Sequence, residues 1–293
     1  MHKNRLFYSL FIAIFMLGVI FTTNYGYAEK NNQQPEKQVK QQEQQEKQQK
    51  QEKSDIVKYR IPDSVLNIAK DNTYPNPSQD LPRIQPSELT AELLSTSKVP
   101  IENPDLILML NETTINKPIL ALGYKATIYL GRWPLNYESK ETSPNWEYQQ
   151  INTNFYDNRG GNSPYKIHYV QEMQKIVKGG LTAKIPHSND VKKMMLVKAA
   201  EKTNLPLSFE TIIGAGTKKG QYYNIPIRKL GYLDAFAPAI NEKGTVTYGE
   251  VYLVLKGGKK SIVVKNVTSQ GISAWIPIQD HISFRFIAIE IPR

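Results

Sequence analysis

The sequence predicts an α+β fold that is mainly antiparallel β-sheet, covered by a few short helices. Three observations support this prediction. Apolar side chains alternate with a period of two in several segments of the carboxyl-terminal half, which is the pattern of β-strands. Glycine pairs that tolerate positive φ separate some of these segments. Prolines recur through residues 60–104 and leave room only for short helices.

The carboxyl-terminal segment, residues 245–291, is predicted to form a β-meander. Residues 246–256 carry apolar side chains on both faces, which indicates an interior strand. Gly257-Gly258 suits both central positions of a type I′ hairpin turn. Ser269-Gln270-Gly271 predicts a second turn. Pro277 has no backbone donor, so the third strand is expected to end, or to lie at a sheet edge, near that residue.

The central part of the chain is also predicted to be mostly β. Residues 119–130 are expected to form a strand that ends at Arg132-Trp133-Pro134. A polar loop then leads to a partner strand at residues 146–154. A long strand is predicted over residues 165–177, and Gly179-Gly180 permits a hairpin after it.

Four helices are predicted. Two short ones begin near Asp63 and at Ser87, and a third runs over residues 103–112 with Pro104 in its first turn. The fourth and longest spans residues 190–203, where apolar residues recur at helical spacing, and Asn204 and Pro206 end it. These helices are expected to cover the sheet.

The amino terminus has the features of an export signal in residues 1–28. Lys3 and Arg5 precede an apolar run, and Gly26-Tyr27-Ala28 is a small-x-small cleavage site. Cleavage and retention as an anchor both remain open, because the uncharged residues 6–28 are also long enough to span a bilayer. In either case the protein is expected outside the cytoplasm, on the cell surface or secreted.

Residues 29–55 are predicted to be a disordered tether. They are rich in Gln, Lys and Glu and contain almost no apolar side chains, so they cannot bury enough surface to offset the entropy of ordering. The stretch serves either to hold the protein away from the membrane or as a tolerated insertion. Residues 56–293 are then expected to form a single globular domain.

The sequence assigns no catalytic residue, no metal and no cofactor. Cysteine is absent, which excludes disulfides and a cysteine nucleophile. The histidines are scattered and never form a metal-binding motif. The glycine-containing loop 214–219 has neither the Walker nor the dinucleotide-binding spacing. We therefore favour a protein without enzymatic activity.

The basic balance of the chain indicates an anionic partner. The net charge is +10, and most of it lies in residues 54–293. The best candidates for binding a polyanion are lysines at the predicted hairpin tip, helped by two lysines of the 214–219 loop if these loops share an end of the sheet. These candidates are Lys256, Lys259, Lys260, Lys218 and Lys219. Protection of a sheet edge by lysine explains the same residues without a ligand.

Aromatic residues suggest that glycans could also bind. Trp133, Trp146, Tyr222 and Tyr223 lie in predicted loops or at strand ends, where an exposed ring could stack on a sugar. The alternative is that these rings belong to the core, as aromatic residues in β-rich proteins commonly do.

Four stretches of the sequence resemble the YfkD-like family of exported proteins from Bacillus-type bacteria. They are residues 72–82 (NTYPNPSQDLP), 178–186 (KGGLTAKIP), 214–219 (GAGTKK) and 244–271. The resemblance covers most of residues 61–284. It implies export and a single domain, and it brings no activity, cofactor or catalytic residue with it.

These observations predict an exported envelope protein that binds or organises an anionic wall polymer or another envelope protein. Nucleic acid is not an expected partner, and contact with a membrane is expected only through an uncleaved signal segment. The alternative is a hydrolase of wall polymers whose site is assembled from distant residues. A cleft that places His168, His187 or His281 beside a carboxylate would favour that alternative.

Overall fold

The computed structural model describes residues 60–77, 81–115 and 124–292, which form ten strands and three helices. The predicted signal segment and tether, and the predicted strand residues 119–123, lie outside the described residues. In chain order the elements are β1 (Val65–Asn67), α1 (Glu88–Ser95), α2 (Pro104–Asn111), β2 (Lys125–Asp157), β3 (Tyr165–Val170), β4 (Lys175–Lys178), β5 (Gly180–Leu181), α3 (Ser188–Thr203), β6 (Glu210–Ile213), β7 (Lys218–Ile225), β8 (Leu230–Lys256), β9 (Lys259–Pro277) and β10 (His281–Ile289).

One long strand, β8, is the axis of the main sheet. β2 pairs with it antiparallel along its whole length, from Lys125 opposite Lys256 to Asp157 opposite Leu230. On its other edge β8 pairs with β10 in its first part and with β9 in its second part. β1 extends the sheet beyond β10, and β5 extends it beyond β9. All of these pairings are antiparallel, so the predicted mainly β, α+β fold class is confirmed.

The predicted break in β2 is wrong. Arg132-Trp133-Pro134 and the polar stretch after them continue in one strand of 33 residues. β8 has 27 residues, and the surplus in β2 is taken up at five register shifts. Bulges of this kind accept residues that a regular ladder excludes. Pro134 adjoins one of these shifts, so its missing N–H does not end the strand.

The predicted turn at Ser269-Gln270-Gly271 is also wrong. β9 runs straight through these residues, and Gly271 lies opposite Thr245 of β8. Because β8 is long enough to pair with all of β9, the chain has no reason to reverse there. The predicted end of that strand near Pro277 is confirmed. The following strand, β10, returns to the first part of β8.

Two other predicted elements differ from the structure. The predicted helix near Asp63 is wrong, because residues 65–67 form β1 on the edge of β10. The predicted strand 165–177 divides into β3, which pairs with β7, and β4, which pairs with β6. β5 pairs with β9, so the hairpin expected at Gly179-Gly180 does not form. In each case a strand from a distant part of the chain offers the pairing.

The three other predicted helices are confirmed, and local capping explains where they begin and end. The Ser87 side chain accepts a hydrogen bond from the Thr90 backbone N–H at 3.3 Å. Asn103 caps α2, which has Pro104 in its first turn. α3 ends at Asn204, whose backbone is left-handed. Within the described segments, none of the helices has the length and apolar character that a membrane crossing needs.

Helices cover the sheet at two places. α1 and α2 pack at the end of the sheet near Lys256, where Leu93, Leu106 and Leu110 meet Val251, Leu253 and Ile262. α3 packs over the middle of the sheet, where its apolar side chains bury residues of β8 and β9. A third cluster lies between β3, β7 and the first part of β8. The helices therefore leave parts of the sheet uncovered.

The segment after β1 is held to the body of the protein by the side chain of Asn72. Its amide nitrogen donates to the Ile212 carbonyl at 2.9 Å and to the Asp280 carboxylate at 3.2 Å. Its oxygen accepts hydrogen bonds from the Gly214 backbone at 2.9 Å and from the Thr217 hydroxyl at 3.2 Å. The stretches 72–82 and 214–219, which carry the family resemblance, therefore meet in space.

Candidate polyanion-binding surface

The candidate surface lies beside the Gly257-Gly258 turn that joins β8 to β9, where β2 also begins, on the side of the sheet that no helix of the described residues covers. Both glycines have positive φ, 52° and 83°, as the predicted hairpin turn requires. Val251, Leu253 and Ile262 point to α1 and α2, so the residues between them point away from these helices. We call this side the hairpin face. Its residues are Lys125, Thr127, Tyr129, Arg132, Glu250, Tyr252, Val254, Lys256, Lys259, Ser261, Val263 and Lys265.

Three lysines form a row across the end of the hairpin face. Lys125 of β2 and Lys259 of β9 are the register partners of Lys256 of β8. Neighbouring strands lie about 4.8 Å apart, so the three Cα atoms span about 10 Å. All three side chains are exposed, and within the described residues none forms an ion pair. The row therefore concentrates positive charge at the sheet end.

Of the five lysines predicted to bind a polyanion, only Lys256 and Lys259 lie on the hairpin face. Lys260 follows Lys259 directly in the strand, so its side chain lies on the opposite face of the sheet, towards the helices. There its ammonium group lies 3.6 Å from the Glu92 carboxylate of α1. Its side chain is only 16% exposed. Lys125 and Lys265 join the face instead. Sequence reasoning missed both because their positions depend on pairing with β8.

Lys218 and Lys219 lie elsewhere. Both belong to β7, and Lys219 donates to the Asn67 carbonyl at 2.7 Å beside the β1–β10 pair. β10 pairs with β8 only as far along as Phe236, whereas Lys256 is the last residue of β8. Twenty residues of extended strand from Phe236 to Lys256 correspond to about 65 Å. The two lysine groups do not share an end of the sheet.

Two tyrosines form an aromatic row next to the lysines. The rings of Tyr129 and Tyr252 lie 5.1 Å apart between centroids, and Tyr129 is 56% exposed. The ammonium group of Lys265 lies 4.9 Å from the centre of the Tyr252 ring. The Tyr252 hydroxyl donates to Glu250 at 2.9 Å, and this hydrogen bond raises the pKa of Tyr252. Tyr252 is thus fixed as a neutral ring beside Tyr129.

A polar network closes the hairpin face on the side away from the turn. Arg132 donates to the Thr268 hydroxyl at 2.7 Å and to the Asn266 carbonyl at 3.3 Å. The Asn266 amide donates to Glu250 at 2.9 Å. Glu250 is therefore already engaged by Tyr252 and Asn266, and it is the acidic residue nearest the tyrosines on this strand.

The aromatic residues predicted to stack on glycans are not gathered in one place. Trp133 donates from its indole nitrogen to the Leu130 carbonyl at 2.9 Å and packs against the α1 and α2 core. Trp146 packs against the core under α3. Tyr223 stacks on Phe286 with ring centroids 5.3 Å apart. Tyr222 is 61% exposed, but it lies on β7, in a different sheet.

The histidines do not gather around a reactive centre in the described residues. His281 is buried, with its Nδ1 atom 2.7 Å from the Gln279 carbonyl. His168 lies beside the Tyr222 ring. His187 has a carboxylate nearby, with Nδ1 3.8 Å from Asp190, and its ring stacks on Trp133. The same residues contain no group of three or more His, Asp or Glu placed to hold a metal ion.

The fold and this surface define a β-rich α+β protein with a basic hairpin face lined by tyrosine. The model of the family described as "YfkD-like protein" matches residues 62–293, so the chain belongs to the YfkD-like family and the predicted family is confirmed. The chain is 62% identical over 236 residues to "Uncharacterized protein YfkD" of Bacillus subtilis (strain 168). That match covers 80% of this chain and 89% of the relative. No solved structure matches.

Proposed function

We propose that this protein is an exported, non-enzymatic component of the cell envelope that binds an anionic wall polymer through the hairpin face. The observation that carries this proposal is the row formed by Lys125, Lys256 and Lys259. Three ammonium groups that pair with no carboxylate of the described residues, held side by side on neighbouring strands, attract an anion with several charges.

Several contacts are needed because each one alone is weak. An exposed ion pair contributes little, since both groups are well hydrated and screened by salt. A polymer that meets several lysines at once gains from every contact after the first without a further loss of free motion. A polyanion therefore fits the lysine row better than a small anion does. The predicted export signal supports this proposal, because it would bring the hairpin face to the wall polymers.

The experiment compares two variants with the same loss of charge. In the first, Lys125, Lys256 and Lys259 are replaced by Gln. In the matched control, three exposed lysines outside the hairpin face are replaced by Gln, namely Lys70, Lys166 and Lys184. Each full-length protein is sedimented with purified Gram-positive cell walls at about 50 mM and about 500 mM NaCl.

Wild type and control are expected to sediment with the walls at low salt and to be released at high salt. The hairpin variant is expected to bind about tenfold more weakly than the wild type at low salt. Equal loss of binding in both variants would assign the effect to net charge and not to the hairpin face. Absence of salt-sensitive binding by the wild type would refute the proposed function.

A further inference from the structure

We infer that the polymer bound at the hairpin face is an anionic glycan and not a polyanion without sugar rings. This inference rests on the proposed function and adds the chemical class of the ligand. It follows from the order of side chains along the face, which places an exposed aromatic ring between two positions of positive charge.

Charged, short and aromatic side chains follow one another in rows along the hairpin face. The lysine row at the turn is followed, two residues along each strand, by Thr127, Val254 and Ser261. The next row contains Tyr129, Tyr252 and Val263, and the row beyond it contains Arg132, Glu250 and Lys265. Rows two residues apart on one face are separated by about 7 Å. The tyrosine row therefore lies about 13 Å from the lysine row and about 7 Å from Lys265.

The short side chains form a depression between the lysines and the tyrosines. Thr127, Val254 and Ser261 are short, whereas lysines bound them on one side and tyrosines on the other. The row of short side chains, which we call the trough, therefore runs about 10 Å across the three strands. Its two hydroxyl groups flank Val254 and can bond to sugar hydroxyls. A ring that lies in the trough reaches the exposed Tyr129 ring at one edge.

The Tyr129 ring is a platform on which a sugar can stack. Tyr252 supports Tyr129 from the side, and Lys265 is held over Tyr252, so an acidic group on a stacked sugar would meet an ammonium already in place. A phosphate chain or a polyol chain presents no flat apolar surface, so its contact with an aromatic ring contributes little to the binding free energy. If the polymer had no rings, the lysines would still bind it, but Tyr129 would contribute nothing.

The experiment measures the affinity of the full-length protein for two probes by titration calorimetry at low salt. One is a hyaluronan oligosaccharide, and the other is a linear polyphosphate with the same number of negative charges. Four variants are compared with the wild type: the variant in which Lys125, Lys256 and Lys259 are replaced by Gln, and three single substitutions. Tyr129→Leu removes the ring, Tyr129→Phe keeps it, and Tyr222→Leu removes an exposed ring from another sheet as the control.

We expect hyaluronan to bind more tightly than polyphosphate. Tyr129→Leu is expected to weaken hyaluronan binding roughly 3- to 10-fold and to leave polyphosphate binding unchanged. Tyr129→Phe and Tyr222→Leu are expected to bind both probes as the wild type does. Thermal unfolding of Tyr129→Phe and Tyr129→Leu shows whether a change in binding reflects a change in folding.

Two further outcomes separate this inference from the proposed function. If polyphosphate binds as tightly as hyaluronan and Tyr129→Leu changes neither affinity, the glycan assignment is overturned while polyanion binding stands. If neither probe binds, or if the Lys125, Lys256 and Lys259 variant binds both like the wild type, the proposed function is overturned together with the inference.

Discussion

Replacing Asn72 by Ala tests whether one side chain holds the arm that follows β1, residues 68–77, to the body of the protein. The Asn72 side chain makes five hydrogen bonds, from 2.9 to 3.2 Å long: four join the arm to residues 212–217 and to Asp280, and the fifth is local, from the Tyr74 N–H. Because the arm packs over the loop that begins at Gly214, loss of these bonds is expected to lower the free energy of unfolding of the whole unit.

The magnitude follows from what each partner retains in Asn72→Ala. The Ile212 carbonyl and the Asp280 carboxylate still accept from Asn76, at 2.9 and 2.7 Å. The Thr217 hydroxyl still donates to the Gly214 carbonyl at 2.7 Å. The buried Gly214 N–H, however, loses its acceptor. An unsatisfied buried N–H costs about 1–3 kcal/mol, and the weakened partners add less. We therefore expect a loss of about 2–3 kcal/mol and a fall in Tm of about 5–10 °C.

The assay is urea unfolding followed by tryptophan fluorescence, together with a thermal scan. Asn162→Ala is the matched control, because Asn162 is exposed in a loop, and its unfolding free energy is expected to stay within about 0.5 kcal/mol of the wild type. The anchoring role of Asn72 is refuted if Asn72→Ala unfolds within about 1 kcal/mol of the wild type, or if the control loses as much.

Two more substitutions test the packing. In Gly214→Ala the new Cβ would lie 2.7 Å from the Tyr74 backbone nitrogen and closer still to the Thr73 side chain, so the unfolding free energy measured in urea is expected to fall by about 1–3 kcal/mol. In the control Gly220→Ala the new Cβ meets no atom within 4 Å, so the unfolding free energy should change little. Equal losses in the two variants would contradict the packing argument. Burial raises the pKa of Glu242 above its usual 4.5, so the carboxyl group holds its proton more tightly in the folded protein than in the unfolded chain. The unfolding free energy therefore falls as pH rises from about 4.5 through the raised pKa. Glu242→Gln should therefore reduce the fall of unfolding free energy as pH rises above about 4.5, and parallel curves for the two proteins would contradict this expectation.

Local chemistry made part of the fold predictable. A glycine pair that needs positive φ at both positions predicted the Gly257-Gly258 turn, and the caps Ser87, Asn103 and Asn204 predicted where helices begin or end. Each of these signals depends on the residues next to it, so no knowledge of the rest of the chain is needed.

Long-range pairing made the rest unpredictable. Pro134 and Gly271 are residue types that often mark the end of a strand, yet both lie inside long strands because each strand pairs with β8 at that point. The same cause limited the site prediction. Lys256 and Lys259 flank a visible turn, whereas Lys125 and Tyr129 reach the hairpin face only through the pairing of β2 with β8. Alternation within β2 would have shown their common side but not what lies beside it.

Edge protection explains only part of the hairpin face. Lysine on an edge strand discourages pairing with other chains, and this accounts for Lys125 on β2 and Lys259 on β9 near the turn. It does not account for Lys256, because β8 is paired on both edges at that residue. Like charges directly opposite on neighbouring strands are destabilising, so stability alone disfavours three lysines in one register. An anionic ligand would relieve that repulsion, and it would also make use of the exposed tyrosine beside the lysine row, which edge protection leaves unexplained.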